Sequence, residues 1–170
     1  MPGRVSTDRW TLEVPDGWTA GEPGEPLQLV PPDATAQVFV SDLRLDLTNA
    51  DGELVAGAVR TLLDATSAGE RVQEAPTEVE AGHFLALGYG TAAGSFVSVA
   101  AHAWPGAVLL LTLHHLGEDR RVREQARTMF ASVRRADATA AETEPDEADA
   151  ADVAPDEASS KSIVGRLFRR

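Results

Sequence analysis

The stretch Ser95–Leu116 constrains the fold of this chain more than any other. It consists of two strand-length runs rich in apolar and β-branched residues, Ser95–Trp104 and Ala107–Leu116, separated by the turn dipeptide Pro105-Gly106. That pattern predicts a β-hairpin. In the second arm Leu109, Leu111 and Leu113 share one face, and Val108, Leu110 and Thr112 share the other. A strand apolar on both faces belongs in the middle of a sheet covered from both sides. Pairing about Pro105-Gly106 sets His102 opposite Leu109, His114 opposite Val97 and His115 opposite Phe96.

The remaining elements follow from hydrophobic period. Arg9–Val14 alternates as a half-buried strand with Trp10, Leu12 and Val14 on one side, and Pro15-Asp16-Gly17 turns it before Trp18. Leu27–Val30 is a short strand stopped by Pro31-Pro32, and Ala36–Leu47 is a longer one with Phe39, Leu43, Leu45 and Leu47 pointing one way. Leu54, Val55, Ala58, Val59, Leu62 and Leu63 then form a helical stripe, predicting an amphipathic helix over Asp51–Ala68 with Gly69 as its C-cap. Strands over Arg71–Val79 and His83–Thr91 precede the hairpin. A second helix over Gly117–Val133 carries Val122, Ala126, Met129, Phe130 and Val133 on its apolar face and Arg120, Arg121, Arg123, Glu124 and Arg127 around the rest. The order β-β-β-α-β-β-β-β-α describes an α+β fold, a twisted antiparallel sheet of about six or seven strands packed with two helices.

Composition and charge narrow the function. The sequence of 170 residues contains no cysteine, which excludes disulfides, iron–sulfur clusters and thiolate catalysis. Residues 1–135 form one domain, long enough to bury roughly two-thirds of its unfolded surface without covalent staples. The start, Met1–Trp10, has no apolar core of a signal peptide, and Val108–Leu113 is far short of the ~20 apolar residues of a membrane span. A soluble cytoplasmic protein is expected. Residues 1–135 hold 18 acidic and 11 basic side chains, residues 136–160 hold 9 acidic and none basic, and residues 161–170 hold 4 basic and none acidic. An acidic body disfavours nucleic acid, whose affinity depends on Lys and Arg neutralising phosphates.

The strand and turn Trp10-Thr-Leu-Glu-Val-Pro-Asp-Gly-Trp18, a mid-chain helix, an apolar meander and a closing helix ending Met129-Phe130-Ala-Ser-Val-Arg134 resemble the PsbP-like group, which includes DcrB-type proteins and the Eag chaperones of type VI secretion effectors. The resemblance covers about residues 8–135. It implies a twisted antiparallel sheet flanked by helices and a role in binding other proteins, and it transfers no catalytic residue.

Residue chemistry gives little support to catalysis. If the Thr91–Gly94 loop closes the preceding hairpin so that residues summing to 185 pair, His83 faces His102; two imidazoles make a weak zinc site, which needs three or four ligands. The favoured reading places the histidines on a partly exposed sheet face. Gly88-Tyr-Gly-Thr-Ala-Ala-Gly94 is not a dinucleotide fingerprint, because its third glycine is one residue late and a strand follows it; turn and bulge glycines are expected. Ser95 and Ser98 lack a nucleophile elbow. The expectation is therefore no enzyme, no cofactor and no metal.

The C-terminal segment is more informative. Residues 136–160 are almost wholly Ala, Asp, Glu, Thr, Pro and Ser and bury too little to offset the entropy of ordering, so a disordered acidic linker is expected. Large apolar groups then return in Ser162-Ile-Val-Gly-Arg-Leu-Phe-Arg-Arg170. Residues 161–170 read as a docking peptide on a tether, with Ile163, Val164, Gly165, Leu167, Phe168, Arg169 and Arg170 as the partner-binding residues. Burying four such side chains yields about 1.5–3 kcal/mol each before ordering costs, which makes one copy weak and many copies useful. The segment Ile163-Val164-Gly165-x-Leu167 with Arg169-Arg170 resembles the cargo-loading peptides of encapsulin nanocompartments, departing from them at Arg166 and Phe168. That resemblance implies an encapsulin shell as partner and a place inside a nanocompartment. The alternative is a chaperone or adaptor for a secretion effector or other client, holding an apolar helix on its sheet face. Contact of the basic tail with anionic membrane, or its fold-back onto the domain, are the remaining readings.

Overall fold

Two helices cap opposite faces of one large antiparallel sheet, because its central strands are apolar on both sides. The computed structural model describes residues 3–21, 26–92, 94–117 and 119–136. The strands are β1 (Gly3–Ser6), β2 (Trp10–Val14), β3 (Thr19–Ala20), β4 (Leu27–Val30), β5 (Ala36–Arg44), β6 (Arg71–Gln73), β7 (Thr77–Glu80), β8 (His83–Ala92), β9 (Ser95–Trp104), β10 (Ala107–Leu116) and β11 (Arg134–Arg135); the helices are α1 (Gly52–Thr66) and α2 (Arg120–Ala131). The main sheet runs β3-β4-β5-β10-β9-β8-β6, with β7 also on β8, and β1-β2-β11 form a small second sheet. The expected α+β class and two-helix arrangement hold.

β10 stands at the centre of the main sheet, paired with β9 in the register expected about Pro105-Gly106. Its two faces feed two separate cores. Leu109, Leu111 and Leu113 pack with Val38, Val40, Ala100 and Trp104 of the sheet, Trp10, Leu12 and Val14 of β2, and Val122, Ala126, Met129 and Phe130 of α2. Val108 joins Val97, Val99, Ala101 and Ala103 of β9 beneath Val55, Val59 and Leu63 of α1.

Several expected boundaries move for local reasons. The strand expected over Arg71–Val79 is split at Pro76, which cannot donate to a ladder, and its halves pair with successive parts of β8. β5 ends at Arg44; beyond it Leu45 N–H donates to the Gly106 carbonyl and Gly106 N–H to the Leu47 carbonyl. Asp51 caps α1 through the Leu54 amide at 2.8 Å, but the helix stops at Thr66 with Ser67 as C-cap. Gly69 is not its cap; its amide donates to the Thr91 carbonyl, and its missing side chain makes room for Thr91.

The expectation of turn and bulge glycines holds for Gly94, at φ +72°, and fails for Gly88 and Gly90. These two lie in regular β8 pairing under α1. A Cβ on Gly88 would stand 2.6 Å from Val59 and 2.8 Å from Leu63, and one on Gly90 would meet Ser67. At these two positions the sheet leaves no room for a side chain beneath α1 and its C-cap.

Candidate functional site

Three features of the described domain bear on function: a buried histidine chain, an unroofed half of the sheet, and a groove beside α2. The hairpin of β8 and β9 sets the first. Ala92 pairs with Ser95 and Leu85 with His102, so paired residues sum to 187, not the expected 185. A shift of two preserves the face. His83 therefore still reaches His102, with His83 Nε2 2.9 Å from His102 Nδ1. Contrary to the expected partly exposed placement, His83, His102 and His115 are buried, and only His114 is exposed.

Hydrogen-bond chemistry sets the protons of this chain. His102 Nε2 lies 2.8 Å from the Phe130 carbonyl, which can only accept, so Nε2 carries the hydrogen and Nδ1 is the acceptor. His83 Nε2 must then donate to His102 Nδ1. At the outer end His83 Nδ1 sits 3.2 Å from Glu80 Oε1, a contact that becomes a hydrogen bond when one of the two holds a further proton. Burial pushes the His102 imidazole down to about 3, with neighbouring His83 and Arg134 acting in the same direction. Burial also lowers His83, against the opposing pull of Glu80. The dyad is thus neutral near pH 7, and it ties α2 to the sheet through the Phe130 carbonyl. Among the described residues no three His, Asp or Glu side chains gather as a metal set.

The unroofed half lies on the α1 side. α1 covers β8 and β9, leaving the β4–β5–β10 portion of that face with Phe39 and Leu110 half-buried, Leu43 42% exposed and Leu116 74% exposed. Register sets Phe39 beside Thr112 and Leu43 beside Val108. Of the expected stripe, Phe39 and Leu43 share a face of β5, the less covered one, while Ala36, Val38 and Val40 point into the α2-side core; Leu45 and Leu47 come after the end of the strand. Three strands at ~4.8 Å spacing span about 10 Å, the diameter of one helix. Gln28, Gln37 and His114 occupy the same face as a polar fringe.

On the other face, α2 and the β8–β9 hairpin enclose a groove of about 460 Å³ whose lining includes Leu87, Tyr89, Phe96, Arg120, Arg123 and Arg127. Tyr89 and Phe96 stack at 5.7 Å, and the Arg123 guanidinium lies 4.5 Å over the Phe96 ring. Arg120 pairs with Glu124 at 2.8 Å and Arg127 with Glu74 at 2.9 Å. This groove was missed from sequence. The only signal was the arginine spacing 120, 123, 127 along one side of a helix, which does not say what the helix lies across.

The docking residues expected from sequence, Ile163, Val164, Gly165, Leu167, Phe168, Arg169 and Arg170, lie outside the described residues, as does the expected linker beyond residue 136. No helix among the described residues is long and apolar enough to cross a membrane.

No family model and no curated protein matches this sequence. Its fold is similar to those of several solved structures. Cyanobacterial PsbP (CyanoP) from Synechocystis sp. PCC 6803 matches with TM-score 0.56 and 17% identity, over 79% of this chain and 92% of that one. The Saccharomyces cerevisiae Ran-binding protein Mog1p matches with TM-score 0.57 and 13% identity, over 79% of this chain and 95% of that one. These likenesses establish the PsbP/Mog1 fold over most of the chain, as the opening strand and element order implied.

Proposed function

We propose that this chain, whose domain has the PsbP/Mog1 fold, is a non-enzymatic protein-binding module that works in the cytoplasm and seats a partner's apolar helix beside α1 on the β4–β5–β10 half of the sheet. The observation that carries this reading is the half-roofed face itself: one helix-wide strip, apolar at Phe39, Leu43 and Leu110, flanked by α1 on one side and polar residues at its fringe. A helix laid there would extend the layer that α1 begins, as amphipathic helices do in hydrophobic grooves. The yeast protein of the same fold binds Ran, which supports protein recognition as a use of this scaffold.

The finer reading concerns which partner. Residues 162–170 bring Ile163, Val164, Leu167 and Phe168 together after a long acidic stretch, and we propose that they dock the chain to a multivalent surface of encapsulin-shell type. Weak single contacts become useful there because many sites act together. A client-binding adaptor for a secretion effector, acting through the sheet face, is the second reading, and the open strip favours it.

Co-expression separates the two. With an encapsulin-type shell protein, the intact chain is expected to co-elute with assembled shells, Leu167→Asp to be lost from them, and Leu110→Asp to be retained. With an apolar helical segment of a secretion effector, Leu110→Asp is expected to abolish co-elution and Leu167→Asp to leave it unchanged. Absence of co-elution of the intact chain with both would overturn the proposal.

A further inference from the structure

Charge within the domain is sharply divided. Residues 1–116 carry 15 acidic side chains and five arginines, whereas residues 117–135 carry six arginines and three acidic side chains. The basic stretch is α2 and the residues just after it, and α2 borders the groove over Tyr89 and Phe96. Within that groove Arg123 Nε is buried and has no acceptor among the described residues. Among the described residues Arg120 and Arg127 are held in exposed or half-exposed pairs with Glu124 and Glu74, of a kind worth about 0–1 kcal/mol and easily exchanged for another carboxylate. The groove therefore offers an aromatic floor and three cationic groups to an acidic, extended occupant.

Such an occupant follows directly in the chain. From Asp137 to Glu157 there are nine carboxylates and no basic residue. The last described residue, Ala136, comes five positions after the end of α2, on the far side of the short β11 pairing with β2. α2 has 12 residues, a length of about 18 Å, whereas the 21 residues 137–157 reach up to about 70 Å when extended, enough to return to α2 and run along it. A tether this short holds the segment at an effective concentration in the millimolar range, enough for contacts that would be negligible between separate molecules.

We infer that the chain's own acidic segment, residues 137–157, lies along α2 and fills the arginine-lined groove over Tyr89 and Phe96. In that position it screens the arginines of α2, and an acidic partner for that groove must displace it.

Tyr89 is the only tyrosine in the sequence and is 39% exposed, so tyrosine-selective isotope labelling gives a single ring signal from inside the groove. The experiment compares the full chain with a full-length variant whose nine carboxylates between Asp137 and Glu157 are changed to Asn or Gln. That variant alters no residue of the described domain, so its folding is not at stake. At about 0.01 M salt, where the Debye length is about 30 Å, the two chains are expected to give different Tyr89 signals. At about 1 M, where it is about 3 Å, the difference is expected to vanish. Arg120→Gln, Arg123→Gln and Arg127→Gln combined, with the native acidic segment, is expected to reproduce the neutralised signal. Identical signals from native and neutralised chains at low salt would overturn the inference, and so would a difference that disappears on dilution, because the occupant would then be another copy. Neither result bears on co-elution with a shell or a client helix.

Discussion

His102 is neutral in the folded state because burial, His83 and Arg134 all oppose its charged form, and the consequence is a defined pH dependence. An unfolded histidine takes up its proton near 6.5, whereas folded His102 does so only at about 3. Between those values the unfolded chain binds more protons, so stability falls as pH drops. The slope is about 1.4 kcal/mol per pH unit for each histidine held neutral. His83, also lowered, adds to it in the same direction. His102→Gln keeps a donor for the Phe130 carbonyl and an acceptor for His83 but does not titrate. Urea midpoints measured between pH 6.5 and 5 should therefore decline less steeply in that variant, by about one proton's worth of slope. An unchanged slope would show that His102 is already protonated or not buried. The sequence made His83 and His102 neighbours even though the assumed hairpin register was two residues off, because a two-residue slip leaves each side chain on its own face. It did not reveal their burial, since the covering residue, Phe130, is 28 positions away.

Helix α1 and strand β8 illustrate how an element can be legible while its packing is not. The stripe Val55, Val59, Leu63 announced an amphipathic helix, and all three residues are buried. Nothing local in Gly88-Tyr-Gly90 announced that this helix would lie on it. Because a Cβ at Gly88 would stand 2.6 Å from Val59, Gly88→Ala should destabilise the domain by about 1–3 kcal/mol through forced separation of helix and sheet. Gly57, on α1 where an added Cβ would meet nothing within 4 Å, offers the opposite case: Gly57→Ala should stabilise by roughly 0.5–1 kcal/mol through helix propensity. Thermal unfolding of the two variants tests both signs. A neutral Gly88→Ala would mean that α1 does not sit where the sheet places it.

At the scale of the molecule, β10 belongs to both cores, so the two faces should unfold together. All three tryptophans, Trp10, Trp18 and Trp104, lie in the α2-side core, whereas Leu63 lies in the α1-side core. Leu63→Ala, expected to cost about 2–5 kcal/mol, should lower the tryptophan-detected midpoint and the circular-dichroism midpoint equally. Separate midpoints would show that the faces are independent units. By itself the sequence determined both helices and the longer strands, though not the short β1, β3 and β11 or the small second sheet, together with the central position of β10, the hairpin register about Pro105-Gly106 and the division of charge. These depend on period, turn chemistry and composition, which act over a few residues or are sums over many. Only the tertiary structure decided which half of the sheet is left unroofed, that Gly88 and Gly90 admit α1, and that Arg123 comes to rest over Phe96. Each depends on where a helix lands on a sheet, and that placement is set by the combined packing of residues far apart in the chain, which no local pattern encodes.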